Sequence, residues 1–164
     1  MSSSTKRVRH IRLLALGSQG DVQPYMALGL GLQQAGFDIS IGTTADFRPF
    51  VASYGLPCVT TNWELRAIVR REAEEGGHSE TSAEKHLSRQ QQRVQREFLR
   101  LLWQTTLELS QGADMLLYSF AVLFAAPHVA EELGIPAIVA ACQPAMTPTS
   151  AFPLNRAPAL PLGG

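Results

Sequence analysis

The alternation of apolar and polar positions changes period along the chain, and each change marks an element. Ile11 to Leu16 is apolar apart from Arg12, the pattern of a strand covered on both faces, as parallel sheets supply. A loop from Gly17 to Asp21 follows. Tyr25, Leu28, Leu32 and Ala35 then recur at three- and four-residue spacing, predicting a helix with one buried stripe that stops at Gly36. Pro24 suits the first turn of that helix, where its missing N–H has no intrahelical partner. Phe37, Ile39 and Ile41 alternate and predict a second strand ending near Thr43. Asp46 is placed to cap a short helix over Phe47 to Tyr54, closed by Gly55, and Leu56 to Val59 reads as a third strand.

Trp63 to Glu75 mixes apolar and charged positions and predicts a partly exposed helix, broken by the GGHSETS segment at 76–82. A long helix is expected from about Ser82 to Gln111, on Leu87, Val94, Phe98, Leu101, Thr105 and Leu109, with Gly112 closing it. Its polar run SRQQQRVQRE reads as a solvated face. Phosphate binding by Arg89, Arg93 and Arg96 is the lesser reading, because nearby acids balance them. Ala113 to Ser119 returns to the buried strand pattern. Ala121 to Leu133 predicts a small-residue helix ending at Gly134, with Ala125, Ala126 and Ala130 able to lie against a sheet. Ile135 to Ala141 is the most uniformly apolar strand candidate.

Strands alternating with helices, joined by right-handed crossovers, give an α/β fold: a Rossmann-like parallel sheet of about five strands with helices on both faces. Residues 1–9 read as a flexible tail and 10–142 as the domain. Residues 143–164 carry Pro144, Pro148, Pro153, Pro158 and Pro161, which excludes a regular helix or central strand. That segment reads as a substrate loop or as the truncated end of the domain. A sheet of this kind is commonly one lobe of something larger.

Composition narrows the function classes. A chain of 164 residues makes about one domain. Its 14 basic and 14 acidic side chains give no general pull toward nucleic acid or an anionic membrane. Cys58 and Cys142 lie far apart and show no metal or redox spacing, so they are expected to be reduced, partly buried thiols of a cytoplasmic protein. The apolar run after the basic N-terminus is too short for a signal peptide or a membrane span.

Asp21 is the first chemical candidate. A carboxylate just past a buried strand, at a helix N-terminus, is placed to act as a general base; the local sequence also supports a first-turn acid that caps the helix. Gly17 to Gly20 lack the GxGxxG spacing and any Lys-Ser/Thr pair, which argues against a dinucleotide or phosphate loop. His10, His78, His86 and His128 are scattered, so no metal site is expected. Ser119 follows a strand without a nucleophile elbow around it. Gln143 sits directly after the last strand, at the same sheet edge as Asp21, and is either a substrate contact or a strand terminator. Met146 and Phe152 are candidates to line an apolar pocket, as is the Phe120 region.

Residues 17–56 and the tail together resemble a known family. Gly17, Ser18, Gly20, Asp21 and Pro24 stand in a G-S-x-G-D-x-x-P opening, and Gln143-Pro144, Thr147-Pro148-Thr149 and Phe152-Pro153 match the tail. The chain is similar over roughly residues 11–156 to the N-terminal domain of the family 28 type glycosyltransferases, near the sterol glucosyltransferases and the antibiotic and rhamnolipid glycosyltransferases. The resemblance implies a GT-B architecture, in which this acceptor-side lobe faces a C-terminal donor-binding lobe carried by the same polypeptide or another. It implies inverting, metal-independent hexosyl transfer from a UDP- or dTDP-sugar to a hydroxyl of a small apolar acceptor, with no bound cofactor and at most peripheral membrane contact. It implies that Asp21 is the base or orients the acceptor hydroxyl, and that Gly17, Ser18, Gln19 and Gly20 border the donor. Gln143, Met146, Phe152 and Phe120 would touch the acceptor, with 63–111 as the variable acceptor-binding region. Relatives often carry Arg where this chain has Gln19, which removes a positive charge beside the site. Without the other lobe these residues are expected to show little transferase activity. Two other classes keep the same fold: a non-catalytic acceptor-binding or interaction module, and a plain nucleotide-binding Rossmann domain.

Overall fold

The computed structural model describes residues 9–61 and 89–142. In chain order the elements are β1 (His10–Leu14), α1 (Gln19–Gln34), β2 (Asp38–Thr44), a 3₁₀ turn (Ala45–Phe47), α2 (Arg48–Ser53) and β3 (Cys58–Thr61). They continue as α3 (Arg89–Ser110), β4 (Met115–Tyr118), a second 3₁₀ turn (Phe120–Val122), α4 (Ala126–Leu133) and β5 (Ala137–Val139). The five strands form one sheet in the order β3-β2-β1-β4-β5, every pair parallel. Leu13 stands opposite Ile41 on one side and Leu117 on the other. All strand C-termini therefore reach the same edge, where open α/β sheets bind ligands.

Alternation along β1 divides the core in two. Ile11, Leu13 and Ala15 face α1 and α2, packing with Val22, Tyr25, Met26, Phe47 and Val51. Leu14 and Leu16 face the other way, into a layer with Leu102, Leu109, Leu116, Val122 and Ala126. Helices thus cover both faces. Each fully buried leucine contributes roughly 1.5–3 kcal/mol relative to exposure. Gly42 sets how closely α3 can approach: a Cβ there would lie 2.8 Å from Leu14 Cδ2 and 3.4 Å from Leu109 Cβ. Two buried hydroxyls of α3 are satisfied within the helix, Thr106 donating to the Leu102 carbonyl at 2.7 Å and Ser110 to the Thr106 carbonyl at 2.6 Å.

The structure corrects several expectations. Helix α1 begins at Gln19, so Pro24 lies inside it rather than in its first turn. The buried stripe runs over Val22, Tyr25, Met26 and Gly29. Leu28 and Ala35 are exposed, and Leu32 is half-buried. Asp46 does not cap α2; it lies within the 3₁₀ turn and accepts a hydrogen bond from the Thr44 hydroxyl. The helix expected over 121–133 is split into the turn at Phe120–Val122 and α4. The uniformly apolar β5 is an edge strand, with Ile138 exposed. Cys142 is exposed rather than partly buried, while Cys58 is half-buried; both are free thiols. Gly134 ends α4 at φ +65°, and Arg93 and Arg96 are exposed, in keeping with a solvated face. The helix expected over 63–75, the break at 76–82 and residues 143–164 lie outside the described residues.

Candidate functional site

The candidate site grows from the end of β1. Its neighbours pin it: Ala15 N–H donates to the Gly42 carbonyl at 2.9 Å, and the Thr43 hydroxyl donates to the Ala15 carbonyl at 2.7 Å. On the other side Ser119 N–H donates to the Leu14 carbonyl at 2.9 Å. The chain then turns at Gly17, whose φ of +133° is a region that L side chains rarely adopt. Ser18 takes extended angles as the N-cap of α1, and Asp21 is the third helical residue.

Asp21 and Ser18 form the centre of the loop. Ser18 N–H donates to Asp21 Oδ2 at 2.8 Å and the Ser18 hydroxyl donates to the same oxygen at 2.7 Å. This is the reach-back of a first-turn acid to the N-cap backbone. It engages one carboxylate oxygen only; among the described residues no donor meets Oδ1. The side chain is exposed. Gly17 is pressed against it, since a Cβ at 17 would sit 2.5 Å from Oδ2. The carboxylate is thus held in one orientation through Oδ2, while Oδ1 meets no donor among the described residues.

Around this centre the same edge brings further groups. Tyr25, one helical turn beyond Asp21, buries its ring and donates its hydroxyl to the Ala140 carbonyl, just past β5. Burial pushes its hydroxyl well above the ordinary tyrosine range, and the neighbouring Cys142 and Asp21 push it further the same way. Phe120 follows β4 and is 51% exposed, and Phe124 is 73% exposed. Between these aromatics and the strand, the Ser119 hydroxyl is buried with no partner among the described residues. Away from this edge, Arg12 is only 4% exposed, with burial lowering its pKa from the usual guanidinium range.

Of the residues singled out in the sequence, Gly17, Ser18, Gln19, Gly20 and Asp21 form one continuous loop and first turn, and Phe120 lies at the same sheet edge. Gln143, Met146 and Phe152 lie outside the described residues. Sequence reasoning missed the hydroxyl of Tyr25, which it took for a core ring, and the exposure of Phe124 and Cys142. The signal for Tyr25 was the phenol itself, because a buried tyrosine hydroxyl needs a partner.

Residues 11–153 match the glycosyltransferase family 28 N-terminal domain. The chain belongs to that family. Sterol 3-beta-glucosyltransferase of Debaryomyces hansenii is 34% identical over 141 residues, covering 86% of this chain and 8% of the relative. The sterol 3-beta-glucosyltransferase of Candida albicans is 35% identical over 146 residues, covering 88% and 9%. The chain thus spans about a tenth of the length of these curated relatives. Among solved structures, the calicheamicin glycosyltransferase superposes with a TM-score of 0.60 at 19% identity, over 91% of this chain and 36% of that one. The family 28 domain therefore has the N-terminal Rossmann-like lobe of a GT-B fold, with the Gly17–Asp21 loop at the C-terminal edge of its sheet.

Proposed function

We propose that this domain is the acceptor-side lobe of an inverting, metal-independent glycosyltransferase, with Asp21 as general base. Its partner is a donor-binding lobe, in the same polypeptide or another. The donor is a nucleoside diphosphate hexose, with UDP or dTDP as the nucleotide. The acceptor is a hydroxyl on a small apolar molecule; the sterol glucosyltransferase relatives and the exposed Phe120 support a sterol or similar lipid. The reaction is a single in-line displacement. The acceptor oxygen forms a bond to the anomeric carbon as the bond to the diphosphate oxygen breaks, the acceptor proton passes to Asp21, and the nucleoside diphosphate leaves. Attack opposite the leaving group inverts the anomeric centre.

The observation that carries this reading is the carboxylate held through Oδ2 by Ser18, with Oδ1 meeting no donor among the described residues. A general base must be oriented within hydrogen-bond reach of the proton it removes, and this arrangement orients it without consuming the basic lone pair. The donor lobe supplies the groups that stabilise the leaving diphosphate, and its approach supplies proximity worth several kcal/mol. Turnover thus requires both lobes, in a cytoplasmic protein with at most peripheral membrane contact.

Asp21→Asn in the two-lobe protein tests the assignment. Asparagine keeps an acceptor for the Ser18 donors, so the cap survives, whereas the proton acceptor is lost. Turnover is expected to fall on the order of 10²–10⁴-fold with acceptor affinity nearly unchanged. Equal loss of turnover and affinity, or loss of neither, refutes the base and leaves Asp21 as a helix cap.

A further inference from the structure

The hydroxyl of Tyr25 is more than the tip of a core ring. Its ring packs with Val22, Met26 and Leu13, work that phenylalanine would do equally well. The oxygen instead crosses to the far side of the site and donates to the carbonyl of Ala140, 115 residues away in sequence. Ala140 N–H is the last ladder donor of this strand, bonded to the Tyr118 carbonyl at 3.0 Å. Beyond it the chain leaves the sheet at the exposed Cys142. Tyr25 stands four residues after Asp21 on α1, hence on nearly the same face of the helix. One hydrogen bond therefore joins the helix that carries the carboxylate to the end of an edge strand that has no neighbour on its outer side in the described sheet.

We propose that Tyr25 is a positioning residue for transfer: its hydroxyl ties the end of β5 to α1 and so fixes the separation between Asp21 and the opposite wall of the acceptor edge. This rests on the reading of Asp21 as the base. Removing the tie leaves the ring, the core and the carboxylate in place but lets the two walls shift. Displacements of about 1 Å at such sites cost as much as 10²-fold in rate; with the ladder bond of Ala140 still made, a loss of about tenfold in kcat is expected.

The test is a double-mutant cycle of Tyr25→Phe and Asp21→Asn in the two-lobe protein, assayed at a temperature where unfolding curves show every variant native. Tyr25→Phe should lower kcat about tenfold and leave KM for the nucleotide sugar unchanged, because the donor is held elsewhere. In the Asp21→Asn background it should cost nothing further, since the group it positions is gone. Unchanged kcat in Tyr25→Phe, with or without a lower melting temperature, overturns the proposal and reduces the bond to a structural one. The same fold-loss in both backgrounds also overturns it while leaving the base assignment standing. If Asp21→Asn alone leaves turnover intact, the base reading fails, and the positioning role fails with it.

Discussion

Replacing Gly17 by alanine puts the geometry of the loop to a quantitative test. Two costs add. The backbone at 17 sits at φ +133°, and holding a residue with a side chain in so sparsely populated a region costs about 1–3 kcal/mol. The new Cβ would also lie 2.5 Å from Asp21 Oδ2 and 2.9 Å from Asp21 Cβ and Cγ, closer than real contacts allow. The carboxylate must swing away and release the Ser18 donors at 2.8 and 2.7 Å. Loss of an N-terminal cap is worth about 0.5–2 kcal/mol, and the exposure of Asp21 favours the lower half of that range. The sum is about 1.5–4 kcal/mol, a large share of a typical domain stability of roughly 5–15 kcal/mol. Gly20→Ala is the matched control. Its φ is not positive, a Cβ there meets only Ser18 Oγ at 3.7 Å, and alanine within the helix gains up to about 1 kcal/mol. Urea unfolding of both variants measures the stabilities, and transferase turnover of the two-lobe protein measures the site. Gly17→Ala should lower both, whereas Gly20→Ala should not lower stability. A Gly17→Ala protein as stable and active as its parent would refute the account of the loop.

Arg12→Met should leave stability unchanged or raise it by up to about 3 kcal/mol. Among the described residues the buried guanidinium donates only to the Gln111 carbonyl, at 3.2 Å, while Nε and Nη1 have no partner; denaturant melting showing a loss above about 2 kcal/mol would mean that Arg12 is well compensated. Thiol alkylation should separate the two cysteines, Cys142 reacting first because it is exposed. Burial holds the Cys58 thiol above its ordinary range despite Arg48 and Arg12, which pull it down, so its rate should rise only at more alkaline pH. The sign for stability follows: a raised folded pKa favours the native state below the unfolded thiol pKa, and that contribution is lost as pH climbs through the folded value. Cys58→Ser should remove this alkaline dependence, and equal alkylation rates across pH would contradict the burial.

Much of the architecture was legible because its signals are local. The apolar run of β1, the alternation of β2 and the glycines at 36, 55, 112 and 134, all at positive φ, mark strands and helix ends without tertiary information. The start of α1 was misread because Pro24 looks like a first-turn proline, whereas the Ser18–Asp21 pair sets the start several residues earlier. The same pair was legible as a cap or a base, but it did not show that both Ser18 donors engage Oδ2. That distinction needs side-chain geometry. Arg12 looked like an interruption of a buried strand, and nothing in its neighbours along the chain told that it would be buried rather than reach solvent. The Tyr25–Ala140 bond spans residues too far apart for any local pattern to announce. The order β3-β2-β1-β4-β5, which leaves the most apolar strand at an edge, likewise depends on which strands meet and not on composition.

The two faces of the sheet also differ in when they can be completed. Every buried member of the layer under α1 and α2 lies between Ile11 and Leu56, so that layer has all its deeply buried residues once the chain through Leu56 has left the ribosome. The layer under α3 and α4 joins Leu14 to Ala130 and must wait until the chain through Ala130 has emerged. Closing it also pays a larger loop entropy, which slows such contacts. Synthesis therefore presents the half-domain that carries Asp21 first, with Leu14 and Leu16 bare on its other face until the second layer arrives. Pulsed amide exchange on refolding chains would register this as protection of β1 and β2 against α1 ahead of protection in β4.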